Sequence, residues 1–313
     1  MDVKKLFTKK YYVAIIAIFC SILWGSAFPV LKVSYKEIGL SSDDLYGKVV
    51  FAGMRFFLAS MILFIIIRYV MKFSLRINKK QFLLFLSLGI LNTSLQYFFF
   101  YNGLANVSGI KGSVLGSIST FFIVLFAHFI YRNDKINIRK IIGLIAGFGG
   151  IIIASLGKDN QFSLSFSFFG EGFMILAGIS SACGAIWSKE LSKKSHPFLI
   201  TAWQMFLGSI VLLLFGFGKV SVEAFTFTPK AWLLFIYSAF LSATAFSLFN
   251  TLLKYNKAGE VSIYKIAIPI SGSILSAIFI HGEAFTIKLF IGLILVSLGI
   301  GVVNISKDNN KLS

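Results

Sequence analysis

Four polar side chains in this 313-residue chain sit inside apolar runs: Arg55 in VVFAGMRFFLASM, Asn92 and Gln96 in LGILNTSLQYFFF, and Lys265 in VSIYKIAIPIS. Ammonium and guanidinium groups bind carboxylates and phosphates, and in an apolar setting they need a partner, a cavity or a reach to an interface. Two readings therefore stand beside each cation. Arg55 either anchors helices or contacts a substrate. Lys265, with Tyr264 beside it, either binds an anionic group or extends its stem toward the nearer interface. An amide presents two donors and an acceptor that hydrocarbon leaves unmet, and the spacing of four puts Asn92 and Gln96 on one helix face. Trp24 and Trp187 are candidate walls for an aromatic or amphipathic substrate. Together these seven residues describe an electropositive, partly aromatic binding site for an anionic or zwitterionic molecule.

Other chemistries lack their parts. An intramembrane enzyme needs paired carboxylates, a metal triad, or a nucleophile with a base at membrane depth. All twelve Asp and Glu residues fall in expected tails, loops or helix ends. Cys20 and Cys183 form no CxxC or Cys/His cluster, so neither a metal nor any other cofactor is expected. With no midplane carboxylate to relay protons or hold sodium, facilitated movement down a substrate gradient is the expectation, His128 being the remaining route for coupling. Asp134 and Glu283 each lie three residues before an expected N-cap, Asn137 and Thr286, where negative charge suits the helix dipole. A non-transporting scaffold is the other rival; it would have no use for such costly groups as Asn92, Gln96 and Lys265.

The elements that position these residues are set by composition. The chain is 57% hydrophobic and 13% charged, with a mean hydropathy of +0.85, and apolar runs of about 18 to 22 residues recur along it, matching a bilayer's thickness. Helices are predicted near 11–33, 49–70, 82–103, 112–131, 141–157, 171–190, 198–217, 230–252, 259–280 and 286–305. The four lysines of residues 1–10 precede a run too long for a signal peptide, so the first helix is expected to be retained. The net charge of +18 does not indicate a nucleic-acid partner, because the basic residues cluster between apolar runs. Twenty of the 30 fall on the side shared by both termini and eight on the other, which predicts cytoplasmic termini. The expected partners are a small-molecule substrate and the lipid bilayer; the oligomeric state is open, a monomer being compatible.

An internal repeat organises the chain. An offset of 149 maps Arg55 onto Gln204, Ser60 onto Ser209, Leu104 onto Leu253, Ser113 onto Ser262, Asp134 onto Glu283, the run 142–145 onto 291–294 and Gly150 onto Gly299. Matched Gly, Ser and acidic positions carry more weight than matched Leu and Ile. Each half holds five helices, so the second enters the membrane from the opposite side. The predicted fold is an all-α polytopic membrane protein of ten transmembrane helices in two inverted five-helix repeats, spanning 11–157 and 171–305, with an external linker at 158–170 and cytoplasmic tails at 1–10 and 306–313. A single cavity between the repeats would give alternating access by rocking. Gly143, Gly147 and Gly150 with Gly292 and Gly299 read as close-packing seams.

The segments ILWGSAFPVLK, MRFFLAS and AGEVSIYKIAIPISGSILSAIFIHGEAFTIKLFIGLILVSLGIGVVN, with Pro269, Glu283, Thr286, Gly292 and Gly299 in the last, resemble the ten-helix branch of the drug/metabolite transporter superfamily built from EamA-type repeats. The first repeat departs from the pattern at Thr120 and Asp134, which stand where the second has Pro269 and Glu283. The resemblance implies a carrier in the cell (inner or plasma) membrane that exports amino acids or related metabolites, with import of a nucleotide-like or other cofactor metabolite as the alternative. It also favours the anchoring role for Arg55.

Overall fold

The computed structural model describes residues 7–131, 135–155, 166–220, 225–256, 261–284 and 286–304, and no strand occurs among them. Seven helices are long and apolar enough to cross a membrane: α1 (Lys10–Glu37), α2 (Leu45–Val70), α3 (Lys79–Ala105), α4 (Gly109–Ile130), α6 (Phe168–Ser192), α7 (Pro197–Gly216) and α8 (Pro229–Tyr255). Between and after them lie α5 (Ile138–Ser155), α9 (Ile263–Ile266 continued by Ala267–Phe279) and α10 (Ile287–Asn304). Local chemistry sets their ends. Asp44 accepts the Gly47 N–H at the start of α2, Asn78 and Gln81 form a reciprocal capping box on α3, and Thr228 with Pro229 opens α8. The helix α1 runs past residue 33 to Glu37, and α2 starts four residues before 49. The turn between them is tight because Gly39 adopts a φ of +78°, which only glycine takes at no steric cost.

The principal helix contacts obey an exchange symmetry. α2 packs on α7, α4 on α9 and α5 on α10, so each of these helices meets its own repeat mate. The cross pairs also match: α1 touches α9 and α8, while α6 touches α4 and α3; α3 packs on α7 as α8 packs on α2. Both halves therefore interlock around one centre, and neither has a complete core without the other.

Close approach at the α5–α10 seam is made possible by glycine. A Cβ on Gly299 would fall 2.6 Å from the Gly143 oxygen and the Gly147 nitrogen, and one on Gly150 would fall 2.7 Å from the Gly292 oxygen. The five glycines expected to form seams thus face one another in a single one. Hydroxyls tie other helices: Ser180 donates to the Leu91 oxygen at 2.6 Å, Ser94 to the Gly208 oxygen at 2.9 Å, and Ser113 shares a hydrogen with Ser273 at 2.8 Å.

Glu283 requires a correction. Thr286 does cap α10, accepting the Leu289 N–H at 3.2 Å, but the Glu283 carboxylate does not serve that helix. It crosses to the start of α4 and accepts the N–H groups of Gly109 and Ile110, neutralising that helix's positive end. Sequence spacing reveals which helix follows Glu283, not which helix end lies opposite it. Asp134, its repeat mate, lies outside the described residues, and Asn137 caps α5 as expected by accepting the Lys140 N–H.

Three helices are irregular near the centre. α3 widens to a π-helical stretch at Ile90–Leu95. α4 breaks at Ser117, whose N–H bonds back three residues to Val114, and α9 opens as a 3-10 turn, Ile263–Ile266. The breaks in α4 and α9 fall at Ser117 and Ile266, which the offset of 149 superposes. Such interruptions are tolerated at membrane depth where they line a cavity or are buried in protein.

Candidate substrate cavity

A central cavity opens between α1, α3, α4, α6, α8 and α9, with about 110 Å³ of room for the centre of a water molecule. The repeat sets its walls. Trp24, Ala27 and Phe28 of α1 face it, and so do Met174, Ala177 and Gly178 at an offset of 150; Tyr97 and Phe100 of α3 are answered by Phe246 and Phe249 of α8. Gly116 and Ser119 of α4 are answered likewise by Lys265 and Ile268 of α9. The scaffold is symmetric and its chemistry is not. Where one half has Lys265 the other has Gly116, where one has Trp24 the other has Met174, and Asn92 and Gln96 answer to Leu241 and Ala245.

Lys265 is 6% exposed, and its Nζ lies 4.9 Å from the centre of the Phe249 ring and 5.5 Å from that of Trp24. Its position next to the α9 break replaces a helical turn's packing with a wall of the cavity. Among the described residues it has no hydrogen-bond or ion-pair partner, and no carboxylate lines the cavity. Ring faces stabilise the ammonium in part. Among the described residues they leave its three N–H donors without an acceptor.

Arg55, 1% exposed, differs. Its Nε donates to the Ser238 oxygen and Ser242 Oγ, both at 3.0 Å, Nη2 to Ser242 Oγ at 2.7 Å, and Nη1 to the Tyr101 hydroxyl at 2.7 Å. All three nitrogens of the planar fork thus bond to protein groups, and the residue pins α2 to α3 and α8 while its edge faces the cavity. Its repeat mate Gln204 turns toward Asn92, whose Nδ2 donates to Gln204 Oε1 at 3.5 Å.

Five of the seven candidates meet at the cavity: Trp24, Arg55, Asn92, Gln96 and Lys265. The indole N–H of Trp24 and Oε1 of Gln96 are buried without a partner among the described residues, which makes them available to a ligand and costly to leave empty. The remaining two candidates lie elsewhere. Tyr264 packs against the buried cluster that α1 and α8 build, outside the cavity's lining. Trp187 points to the bundle's flank and donates to Ser87 Oγ at 3.2 Å. Adjacency in sequence did not put Tyr264 beside its neighbour's site, because successive residues of a 3-10 turn diverge by about 120°. His128 is also outside the cavity, its Nδ1 accepting the Ile136 N–H at 2.9 Å. Phe246, Phe249 and Asn250 escaped sequence reasoning. Their signal was present, since the offset of 149 maps Tyr97, Phe100 and Tyr101 onto them.

Long apolar helices around a central, polar-edged cavity define a multi-pass membrane protein of the transporter class. The chain belongs to the EamA-like transporter family, which it matches over residues 12–156 and again over 168–305. It is similar to two uncharacterized transporters of Bacillus subtilis strain 168: YvbV, 28% identical over 95% of this chain and 93% of that one, and YoaV, 24% identical over 90% and 92%. A WAT1-related chloroplastic protein of Arabidopsis thaliana is 24% identical over 68% of this chain and 52% of its own. A solved crystal structure shares the fold, with a TM-score of 0.69 at 14% identity, covering 94% of this chain and 96% of that one. The protein is accordingly a membrane transporter of the EamA, drug/metabolite type.

Proposed function

We propose that this transporter carries a small metabolite with one carboxylate, zwitterionic or anionic, an amino acid being the type case, and that it works chiefly as an exporter in the cell membrane. The observation that carries the reading is the buried, unpartnered ammonium of Lys265 in a cavity without a carboxylate. A carboxylate seated there would accept from Lys265 between the Trp24 and Phe249 rings, while the Trp24 N–H and the amides of Asn92 and Gln96 would meet the rest of the molecule. The small cavity favours a compact solute over a nucleotide-like cofactor.

In this reading ten helices cross the bilayer in two inverted repeats with both termini cytoplasmic, and the halves rock about the shared cavity. The exchange symmetry of the helix contacts supports that motion, because swapping the conformations of two repeats about their pseudo-two-fold axis turns an inward-open arrangement into an outward-open one. With no carboxylate facing the cavity, transport runs down the substrate gradient without an obligatory ion.

The test is uptake and counterflow by purified protein in proteoliposomes, using a panel of amino acids, monocarboxylates, organic amines and nucleotides, with no pH or sodium gradient. Carboxylate-bearing solutes should move and compete with one another. Selective movement of organic amines would overturn the substrate assignment, and strict dependence on an imposed proton gradient would overturn the uncoupled mechanism.

A further inference from the structure

A second, larger hollow lies on the flank of the bundle, between α3, α4 and α6. Ser87 and Leu91, Phe126, Phe129 and Ile130, and Cys183, Ile186 and Trp187 line about 530 Å³ of it, within the ~300–1,000 Å³ typical of ligand pockets. It is walled almost wholly by apolar groups. Phe129 and Ile130 at its rim are 73% and 54% exposed, so it opens on the face that meets lipid. The single hydrogen-bonding pair in its wall, Trp187 Nε1 to Ser87 Oγ, is already satisfied, which leaves a polar solute nothing to hold.

Its level along the helices identifies the occupant. Ile130 is the last residue of α4, Trp187 lies five residues before the end of α6, and Ser87 lies eight after the start of α3. The hollow therefore ends against one edge of the apolar slab. At that edge stand Lys79 and Lys80 on α3, Lys135, Arg139 and Lys140 beside α4, and Lys189, Lys193 and Lys194 at the end of α6, against the one carboxylate of Glu190 among the described residues. Glu190 is itself engaged by Lys193 at 2.7 Å and by the Tyr131 hydroxyl at 2.9 Å. An apolar slot that opens sideways into lipid and ends under a basic rim matches one molecule: a phospholipid with an acyl chain in the slot and an anionic headgroup at the rim.

We infer that the α3–α4–α6 slot is a binding site for an anionic phospholipid. The inference needs neither the substrate nor the orientation proposed above. It does bear on transport, because Ile186 belongs both to this slot and to a small void bounded by Ile123, Phe249, Leu253 and Ala185, and Ala185 in turn lines the central cavity. One layer of α6 side chains thus separates the acyl chain from the substrate's space.

Trp187 provides the readout. The full-length protein is reconstituted in phosphatidylcholine bilayers doped with phosphatidylglycerol or phosphatidylcholine brominated in one acyl chain, and fluorescence quenching of wild type minus that of Trp187→Phe isolates the slot's tryptophan. At equal low mole fraction, the brominated phosphatidylglycerol should quench Trp187 about fivefold more effectively than the brominated phosphatidylcholine. The K189Q/K193Q/K194Q variant should bring the two lipids to parity, and Cys183→Phe, which fills the slot, should lower quenching by phosphatidylglycerol to the phosphatidylcholine level. Equal quenching of the Trp187 signal by the two lipids would overturn the inference, a comparison that requires neither the lysine variant nor Cys183→Phe to fold. Preference for phosphatidylglycerol that survives in the lysine variant would show the rim is not its source and would equally overturn it.

Discussion

Lys265 and Arg55 are both cations inside an apolar bundle, and their surroundings assign them different work. Lys265 faces aromatic rings and meets no acceptor among the described residues, which is why we assign it to binding. Lys265→Met keeps the length and apolar stem while removing the charge, and a charge-assisted hydrogen bond is worth about 1.5–3 kcal/mol, roughly ten- to a hundred-fold in affinity. The variant is expected to insert and fold normally while its dissociation constant for the transported carboxylate rises by that factor, as scintillation proximity or calorimetry would read; an unchanged constant would remove Lys265 from the site. Arg55 meets Ser238, Ser242 and Tyr101 through a fork that an ammonium does not reproduce. Arg55→Lys is therefore expected to lower the melting temperature in detergent by several degrees while shifting substrate affinity less than about tenfold. A large loss of affinity at full thermal stability would reverse the two assignments.

At the scale of elements, the α5–α10 seam shows how glycine governs assembly. These two helices lie side by side, mate against mate, contribute no residue to the cavity's lining, and bring their backbones within contact distance of each other. Gly299→Leu would drive a side chain into the Gly143 and Gly147 backbone, where no flexible group can yield. Overpacking of this kind costs about 1–3 kcal/mol or more. Thermal aggregation of the variant should start several degrees below wild type, whereas Gly149→Leu, whose Cβ meets nothing within 4 Å, should match wild type. Equal loss in both would mean that helix propensity, not the seam, sets the effect.

For the whole molecule, the distribution of charge carries the orientation. On the proposed ten-helix topology, lysines and arginines favour the terminus-bearing side by twenty to eight, so single cysteines placed at Asn309 and at Asp159, with Cys183→Ser and Cys20→Ser as background, should be protected and reactive respectively toward an impermeant maleimide in intact cells. Labelling at Asn309 would invert the assigned orientation. The symmetry of the bundle belongs to the same scale. Two halves whose principal contacts are with each other share one core, so displacing one against the other changes the shape of the cavity at its centre.

Much of this was readable in the chain before any coordinates. Run length against bilayer thickness marked where helices would lie, because lipid forces every backbone polar group into helical pairing. The offset of 149 marked the duplication, and the cost of charged and amide groups in hydrocarbon singled out Arg55, Asn92, Gln96 and Lys265. Helical periodicity specifies which residues share a face; it does not specify which way that face turns or what lies opposite. Tertiary structure alone decided that Trp187 turns outward to the flank while Trp24 turns inward, that Glu283 serves α4 rather than α10, and that Arg55 finds Ser242 some 187 residues away while Lys265 finds only rings. Glu283, in the loop between α9 and α10, depends on which helix end that loop meets; the other outcomes depend on the rotation of one helix about its axis. That rotation is settled by the fit of distant side chains across an interface, a quantity no local stretch of sequence contains.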